Sequence, residues 1–239
     1  MFDNSAEIYD ALYSFKNYKH EADTIRQYLN RLNPNVTSLL DVACGTGKHI
    51  EYLTDYFTID GIDLNERFIQ TAQKRNSSSN FWCVDMTSFQ LNKKYDVVMC
   101  LFSSIAYVKT LIRVKESIDQ FKRHLSDTGI IIIEPWYTPD TWEPGFVSVL
   151  NSETESHKIS RMSHAARDGD ISILNFEYLV GSIHGIEHKK ERHELGLFKH
   201  EELIDVFEAT GMKVEYDSEG ISGRGLYILS FLKEEDNSV

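Results

Sequence analysis

In Ser38-Leu39-Leu40-Asp41-Val42-Ala43-Cys44-Gly45-Thr46-Gly47-Lys48-His49 a short apolar run (Leu39, Leu40, Val42) meets a turn with two glycines and then a helical pattern. That order reads as a buried strand, a tight turn and the start of a helix. Without a Cβ, Gly45 and Gly47 can adopt backbone angles that other residues resist and let main-chain N–H groups approach a ligand closely. Two pyrophosphate readings are weakened by spacing. The dinucleotide fingerprint needs a third glycine where Ile50 stands, and the P-loop needs glycine and Ser or Thr where Val42 and His49 stand. What remains is an acidic strand residue, Asp41, feeding two glycines, which suits a ligand carrying an amino group.

The flanking sequence repeats the strand-then-helix theme. Residues 58–64, 80–86, 95–101 and 130–136 read as further strands, and 50–56, 66–75 and 112–124 as helices, with a turn at 126–129. The continuous β-branched run Ile130-Ile131-Ile132-Ile133 is the pattern of a strand covered on both faces in a parallel sheet. The fold class is therefore α/β. Asp63 closes the second strand, where an acidic residue can accept hydrogen bonds from ribose hydroxyls; it could equally cap the helix that follows. Asp85 and Met86 close the third, a carboxylate and a flexible apolar side chain suited to an adenine.

Before the glycine turn, 5–32 is helical in pattern, interrupted by a polar break at 14–19 that would let the segment fold over a neighbouring cleft, and ended by Asn33-Pro34. Tyr9, Tyr13, Tyr18 and Tyr28 punctuate it as core packing or as walls of that cleft. After residue 136 the alternation of strand and helix stops. Residues 146–149, 158–163, 172–180 and 187–197 read as antiparallel strands, 198–210 as a helix closed by Gly211, 213–216 and 225–232 as the last strands, and 233–239 as an acidic tail.

Composition narrows the function. The chain has 239 residues, 41% hydrophobic and 26% charged, which fits one sizeable globular unit. Thirty-seven acidic residues against 25 basic ones give a net charge of −12, unfavourable for gripping nucleic acid through its phosphates. Cys44, Cys83 and Cys100 lie in apolar runs without C-x-x-C spacing, so neither a disulfide framework nor a metal site is indicated, and a cytoplasmic location is expected. Met1-Phe2-Asp3-Asn4-Ser5 lacks a basic region followed by an apolar core, and no apolar run is long enough to span a membrane, so neither secretion nor membrane insertion is expected.

The first motif resembles motif I of class I S-adenosylmethionine-dependent methyltransferases. The resemblance narrows with Phe102-Ser103-Ser104-Ile105, Glu134-Pro135-Trp136, Arg161-Met162-Ser163-His164 and Ser222-Gly223-Arg224-Gly225-Leu226. Together these look like the sugar N-methyltransferases that dimethylate dTDP-3-amino-3,6-dideoxyhexoses, over nearly the whole chain. The resemblance implies a Rossmann-like methyltransferase sheet with helices on both faces (1–145 and 198–239) and an antiparallel cap inserted after the fifth strand (146–197). It implies S-adenosylmethionine as cofactor, held by Tyr18, Asp41, Ala43, Gly45, Gly47, Asp63, Leu64, Asp85, Met86 and Leu101. It implies a dTDP-amino-sugar substrate held by Tyr9, Glu134, Trp136, Arg161, Ser163, His164, Arg167 and Arg224, with Tyr107 positioned near the amine and a histidine base dispensable. On the residues alone, Arg224 could be a solvated turn arginine and His164 a structural histidine. The link between Tyr9 and Tyr18 is shorter than in the family, and 147–157 is more polar. A homodimer is implied as well. The alternatives are a methyltransferase for another small amine, hydroxyl or carboxylate, and a non-catalytic cofactor-binding protein; the missing third glycine leaves a nicotinamide oxidoreductase as the least favoured.

Overall fold

The computed structural model describes residues 8–232. The first residues of the helical pattern, the reading of 1–5 and the acidic tail at 233–239 lie outside them. A short helix, α1 (Tyr9–Leu12), and a longer one, α2 (Tyr18–Leu32), precede the apolar run, which forms strand β1 (Ser38–Val42). The glycine turn leads into α3 (Lys48–Leu53), and the chain continues through β2 (Thr58–Asp63), α4 (Glu66–Arg75), β3 (Phe81–Cys83) and β4 (Tyr95–Cys100). A 3₁₀ turn (Ser104–Val108), α5 (Leu111–Arg123) and β5 (Leu125–Ile133) complete the first half. After it come β6 (Val147–Glu153), β7 (Lys158–Asp168), β8 (Ile171–Ser182), β9 (Gly185–Gly196), α6 (His200–Glu208), β10 (Met212–Asp217) and β11 (Leu226–Phe231).

The main sheet has seven strands in the order β10-β11-β5-β4-β1-β2-β3. Strands β1 to β5 are parallel, whereas β11 runs antiparallel to both β5 and β10. Side chains alternate across it and both faces are covered. Leu39, Val97, Met99 and Ile132 pack with α2, α3 and α4 through Ile25, Ile50 and Ile69. Leu40, Val98, Cys100, Ile131 and Ile133 pack with α5 and α6 through Val114, Phe121 and Phe207. From β1 the chain order runs outward in one direction through β2 and β3 and in the other through β4 and β5, so a crevice opens at the carboxyl ends of β1 and β4.

Several boundaries differ from the sequence pattern, among them two in the main sheet. The turn expected at 126–129 lies within β5, where the register with β4 shifts between Tyr95 and Val97 and Ser126 donates to Asp96 at 3.2 Å. The extra residues are accommodated as an irregularity without ending the strand. The third strand stops at Cys83, because the following backbone turns around Asp85, whose carboxylate accepts from the Thr87 N–H at 2.8 Å.

Strands β6-β7-β8-β9 form a separate antiparallel sheet. Its inner face buries Ile159, Phe176, Tyr178 and Val180 against Ile8 and Leu12. The α1 segment thus packs on this second sheet.

A buried polar knot ties the start of β4 to β2. Asp60 is 1% exposed and accepts from the Asn80 N–H and Nδ2 at 3.0 Å, Lys93 Nζ at 2.7 Å and the Tyr95 hydroxyl at 2.9 Å. Burial works against ionisation, but Lys93, Asn80 and Tyr95 outweigh it and hold the carboxyl below its ordinary range. The sign follows: this contribution is present above the unfolded-state pKa and is lost as pH falls through the lower folded-state value. Asp60→Ala is expected to cost about 3–5 kcal/mol in urea unfolding near neutral pH, because it leaves buried donors unpaired, and the difference should shrink below about pH 4.

Candidate active site

Above the carboxyl edge of the main sheet lies a cavity of about 940 Å³, bounded by the glycine turn, the α1–α2 link, the inner face of the second sheet and the loop before β11. That is room for two ligands of moderate size side by side.

On the cofactor-like wall the turn winds through left-handed backbone at Ala43 (φ 59°), Gly45 (φ 56°) and Gly47 (φ 73°). A Cβ on Gly45 would meet nothing within 4 Å, so its backbone faces open space, whereas one on Gly47 would strike Asn76 at 2.6 Å. Asp63, at the end of β2, accepts from the Gly45 N–H at 2.9 Å and the Asn65 N–H at 2.8 Å. The helix cap is Asn65, whose side chain accepts from the Arg67 and Phe68 N–H groups, which leaves Asp63 to the cavity. Burial pushes the Asp63 pKa up, with the backbone donors opposing it. Asp85 is held ionised: burial is outweighed by Thr87 and by Arg113, whose guanidinium donates at 3.0 Å. Leu64, Met86, Leu101 and Tyr18 complete this wall.

Helix α1 is fastened to the same turn, and the link after it to α2 and Phe102. Asp10 accepts from the Thr46 hydroxyl at 2.6 Å and from Arg75, which also donates to the Thr46 carbonyl. Lys16 lies 3.2 Å from Glu21, which also meets His49 at 2.8 Å, and its ammonium sits 3.6 Å from the centre of the Phe102 ring. Burial lowers the Lys16 pKa, against the pull of Glu21. The sequence reading missed Asp10, Lys16, Thr46 and Arg75; the only local signal was the threonine between the glycines.

The opposite wall is aromatic and cationic. Arg224, between Gly223 and Gly225, lies 5.6 Å from the centre of Trp136 and 5.9 Å from Phe102 and Tyr137, and donates to Ser103 Oγ at 3.3 Å. Arg161 donates to the Tyr13 hydroxyl at 3.1 Å, while its buried Nε has no hydrogen-bond partner among the described residues. Ser163 is buried beside Ser148 at 2.6 Å. Both Ser148 and Ser163 line the cavity, as do Tyr9, Tyr107 and Trp136. Glu134 also lines it, with its carboxylate occupied by the Phe102 N–H at 2.6 Å and by the Ser222 hydroxyl.

Four residues of the expected site stand outside the cavity lining. Strand β7 continues to Asp168, so the alternation that turns Arg161, Ser163 and Ala165 inward turns His164 outward, where it is exposed. Arg167, six residues along the strand from Arg161, lies about 20 Å away at ~3.3 Å per residue. It donates to the Gly169 and Pro139 carbonyls at 2.7 Å. Gly47 faces α4. Asp41 is buried within β1.

The chain between residues 39 and 129 matches the family model described as a methyltransferase domain. A dTDP-3-amino-3,6-dideoxy-alpha-D-glucopyranose N,N-dimethyltransferase from Streptomyces fradiae is 35% identical, over 93% of this chain and 89% of that protein. A dTDP-4-amino-2,3,4,6-tetradeoxy-D-glucose N,N-dimethyltransferase from Saccharopolyspora spinosa is 33% identical, over 93% and 91%. The crystal structure of Streptomyces venezuelae DesVI superposes with a TM-score of 0.89 at 34% identity, covering 95% of this chain and 98% of that one. The chain belongs to the sugar N,N-dimethyltransferases. Another structure, CalS10 from Micromonospora echinaspora, an amino pentose methyltransferase with S-adenosylmethionine bound, has a TM-score of 0.85 at 28% identity, over 94% of this chain and 97% of that one.

A sugar N-methyltransferase of this family uses S-adenosylmethionine, and the cofactor-like wall fits it: an open glycine backbone, a strand-end carboxylate facing the cavity and a second carboxylate beside a methionine. No helix among the described residues is long and apolar enough to cross a membrane.

Beneath this wall Asp41 is 3% exposed, and its Oδ2 has no hydrogen-bond partner among the described residues. Burial, and secondarily the Asp63 carboxylate, push its pKa well above the carboxylate range. As pH rises above about 4, the unfolded chain ionises this group while the fold resists, so the folded state loses relative stability. Asp41→Asn, neutral at every pH, should therefore raise the melting temperature near neutral pH by about 2–4 °C and give no gain below about pH 4.

Proposed function

We propose that the protein transfers a methyl group from S-adenosylmethionine to the amino group of a dTDP-linked amino-deoxy sugar. The observation that carries this reading is the two-walled cavity, with carboxylates and an open glycine turn on one side and Arg224, Trp136 and Arg161 on the other. Bound S-adenosylmethionine supplies a methyl already activated on a sulfonium, so the chain's task is to place the amine in line and exclude water.

In this proposal Asp63 and Asp85 accept hydrogen bonds from the cofactor's ribose and adenine. Tyr18, Ala43, Gly45, Leu64, Met86 and Leu101 enclose it. Arg224 presents its planar fork to the diphosphate against the aromatic floor of Trp136 and Tyr137, a geometry suited to phosphate oxygens. Arg161, with a buried donor still to satisfy, and Ser163 hold the sugar side, and Tyr9 and Tyr107 wall the amine. Glu134 contributes by fixing the loops that carry Phe102 and Ser222. The region 146–197 is then the substrate-binding cap of a single compact unit. A cytoplasmic location and a homodimer belong to the same proposal; the free thiols of Cys44, Cys83 and Cys100 support the first, and the family resemblance the second.

Incubation with methyl-labelled cofactor and dTDP-3-amino-3,6-dideoxyglucose, its galactose isomer and the 4-amino counterparts tests the substrate. Turnover is expected on at least one, and inactivity on all of them would remove the amino-sugar reading. Arg224→Ala should raise KM for the sugar nucleotide about 10- to 100-fold, with the cofactor's affinity unchanged, as loss of a charge-assisted phosphate contact predicts. Equal KM in the variant would point to a substrate without a diphosphate.

A further inference from the structure

Behind the cavity wall at Tyr107 runs a buried chain of polar groups for which the cavity lining alone gives no use. The Tyr107 hydroxyl lies 3.1 Å from His193 Nδ1, and His193 Nε2 lies 3.4 Å from Glu191 Oε2. Glu191 also accepts from the Tyr178 hydroxyl at 3.1 Å. His193 is 2% and Tyr178 1% exposed. Glu191 and His193 are two residues apart on β9 and so share a face, Tyr178 reaches them from β8, and Tyr107 comes from the 3₁₀ turn. The Phe176 ring packs on the imidazole at 4.9 Å, and Tyr9, Tyr13 and Asp63 are further titratable groups interacting with Tyr107.

With the imidazole neutral and Glu191 ionised, the carboxylate only accepts, so the Nε2 facing it carries the imidazole proton and Nδ1 is the acceptor. In that state the Tyr107 hydroxyl spends its hydrogen on Nδ1 and keeps an oxygen lone pair free to accept, and Tyr107 lines the cavity. A lone pair is what an N–H of an ammonium requires. Burial keeps the phenol protonated, pushing its pKa above the ordinary range, so Tyr107 can pass a proton on but does not rest as phenolate.

We propose that Tyr107, His193 and Glu191 form a relay that removes the proton from the substrate's ammonium group, with Tyr107 as the group touching substrate and His193 and Glu191 as positioning residues behind it. The inference rests on the amino-sugar reading above. An alkyl amine is largely protonated near neutral pH and cannot attack in that state. One ammonium proton passes to Tyr107 Oη as the Tyr107 proton passes to His193 Nδ1. The imidazolium is held by the Glu191 carboxylate, and the freed nitrogen lone pair forms the new C–N bond while the S–C electron pair stays on sulfur. The N-methylated product carries a positive charge on nitrogen. Between turnovers the imidazolium returns its proton through Tyr107 to water entering the cavity. A second methylation repeats the same transfer.

The test is the pH dependence of kcat in His193→Asn, whose side-chain amide can still bond to Tyr107 but cannot accept a proton. Cofactor binding by calorimetry and the melting curve establish that the variant is folded. The relay predicts a loss of about 100-fold at about pH 6.5 that shrinks steadily as pH rises past the pKa of the free amine. A wild-type profile, or a loss of the same size at every pH, would overturn it in favour of a structural role. If His193→Asn does not fold, Glu191→Gln is read by the same criteria. Wild-type turnover with an unaltered profile in the variant sinks the relay alone, whereas absence of wild-type turnover on every amino sugar removes the substrate reading and the relay together.

Discussion

One carboxylate holds the working end of the molecule together. Glu134 stands just past the end of β5, is 4% exposed, and takes hydrogen bonds from the Phe102 N–H past the end of β4 and from the Ser222 hydroxyl in the loop before β11. Ser103 adds a second tie, donating to the Pro135 carbonyl at 2.6 Å while accepting from Arg224. Phe102 and Ser103 both sit in left-handed backbone, φ 53° and 59°, a conformation that persists where surrounding contacts over-determine it. Parallel strands alone deliver their ends to a common edge. The carboxylate turns three loose exits into one rigid surface on which a guanidinium can be aimed.

The two walls of the cavity are then built by different means. The cofactor-like wall is local: a turn, the strand end beside it and the cap of the next helix are bonded to one another through Asp63, Gly45 and Asn65. The opposite wall is assembled from distant parts of the chain, with Arg161 from β7, Trp136 after β5 and Arg224 before β11, and it depends on the second sheet lying over the first. The proposed relay extends that logic one layer deeper, since Tyr107 belongs to the main sheet's exit loop and His193 to the second sheet.

This difference explains what could be read in the sequence. The glycine turn and its flanking strand were legible because an apolar run, a turn and a helix are local patterns, and the βα order followed from them. Asp63 remained ambiguous between ligand and cap until Asn65 was seen to do the capping. His164 was misplaced for a reason of parity and Arg167 for one of distance: ending β7 at Ser163 hides the strand that continues to Asp168, whose alternation sends His164 to solvent and whose length carries Arg167 away from the cavity to the Gly169 and Pro139 carbonyls. His193 left no local signal at all. In Glu191-Arg192-His193-Glu194 it looks like one more polar residue of an alternating strand, and its meaning lies entirely in a partner brought from the other sheet.

The short segment around α1 touches both sheets: Ile8 and Leu12 are sunk into the second, and Asp10 is bonded to Thr46 and Arg75 beside the first. Its grip on the glycine turn is ionic and polar, while its apolar side is part of the second sheet's core. One four-residue helix thereby pins the cofactor-like wall to the opposite wall, and any change in how the two sheets sit on one another is felt at the glycine turn.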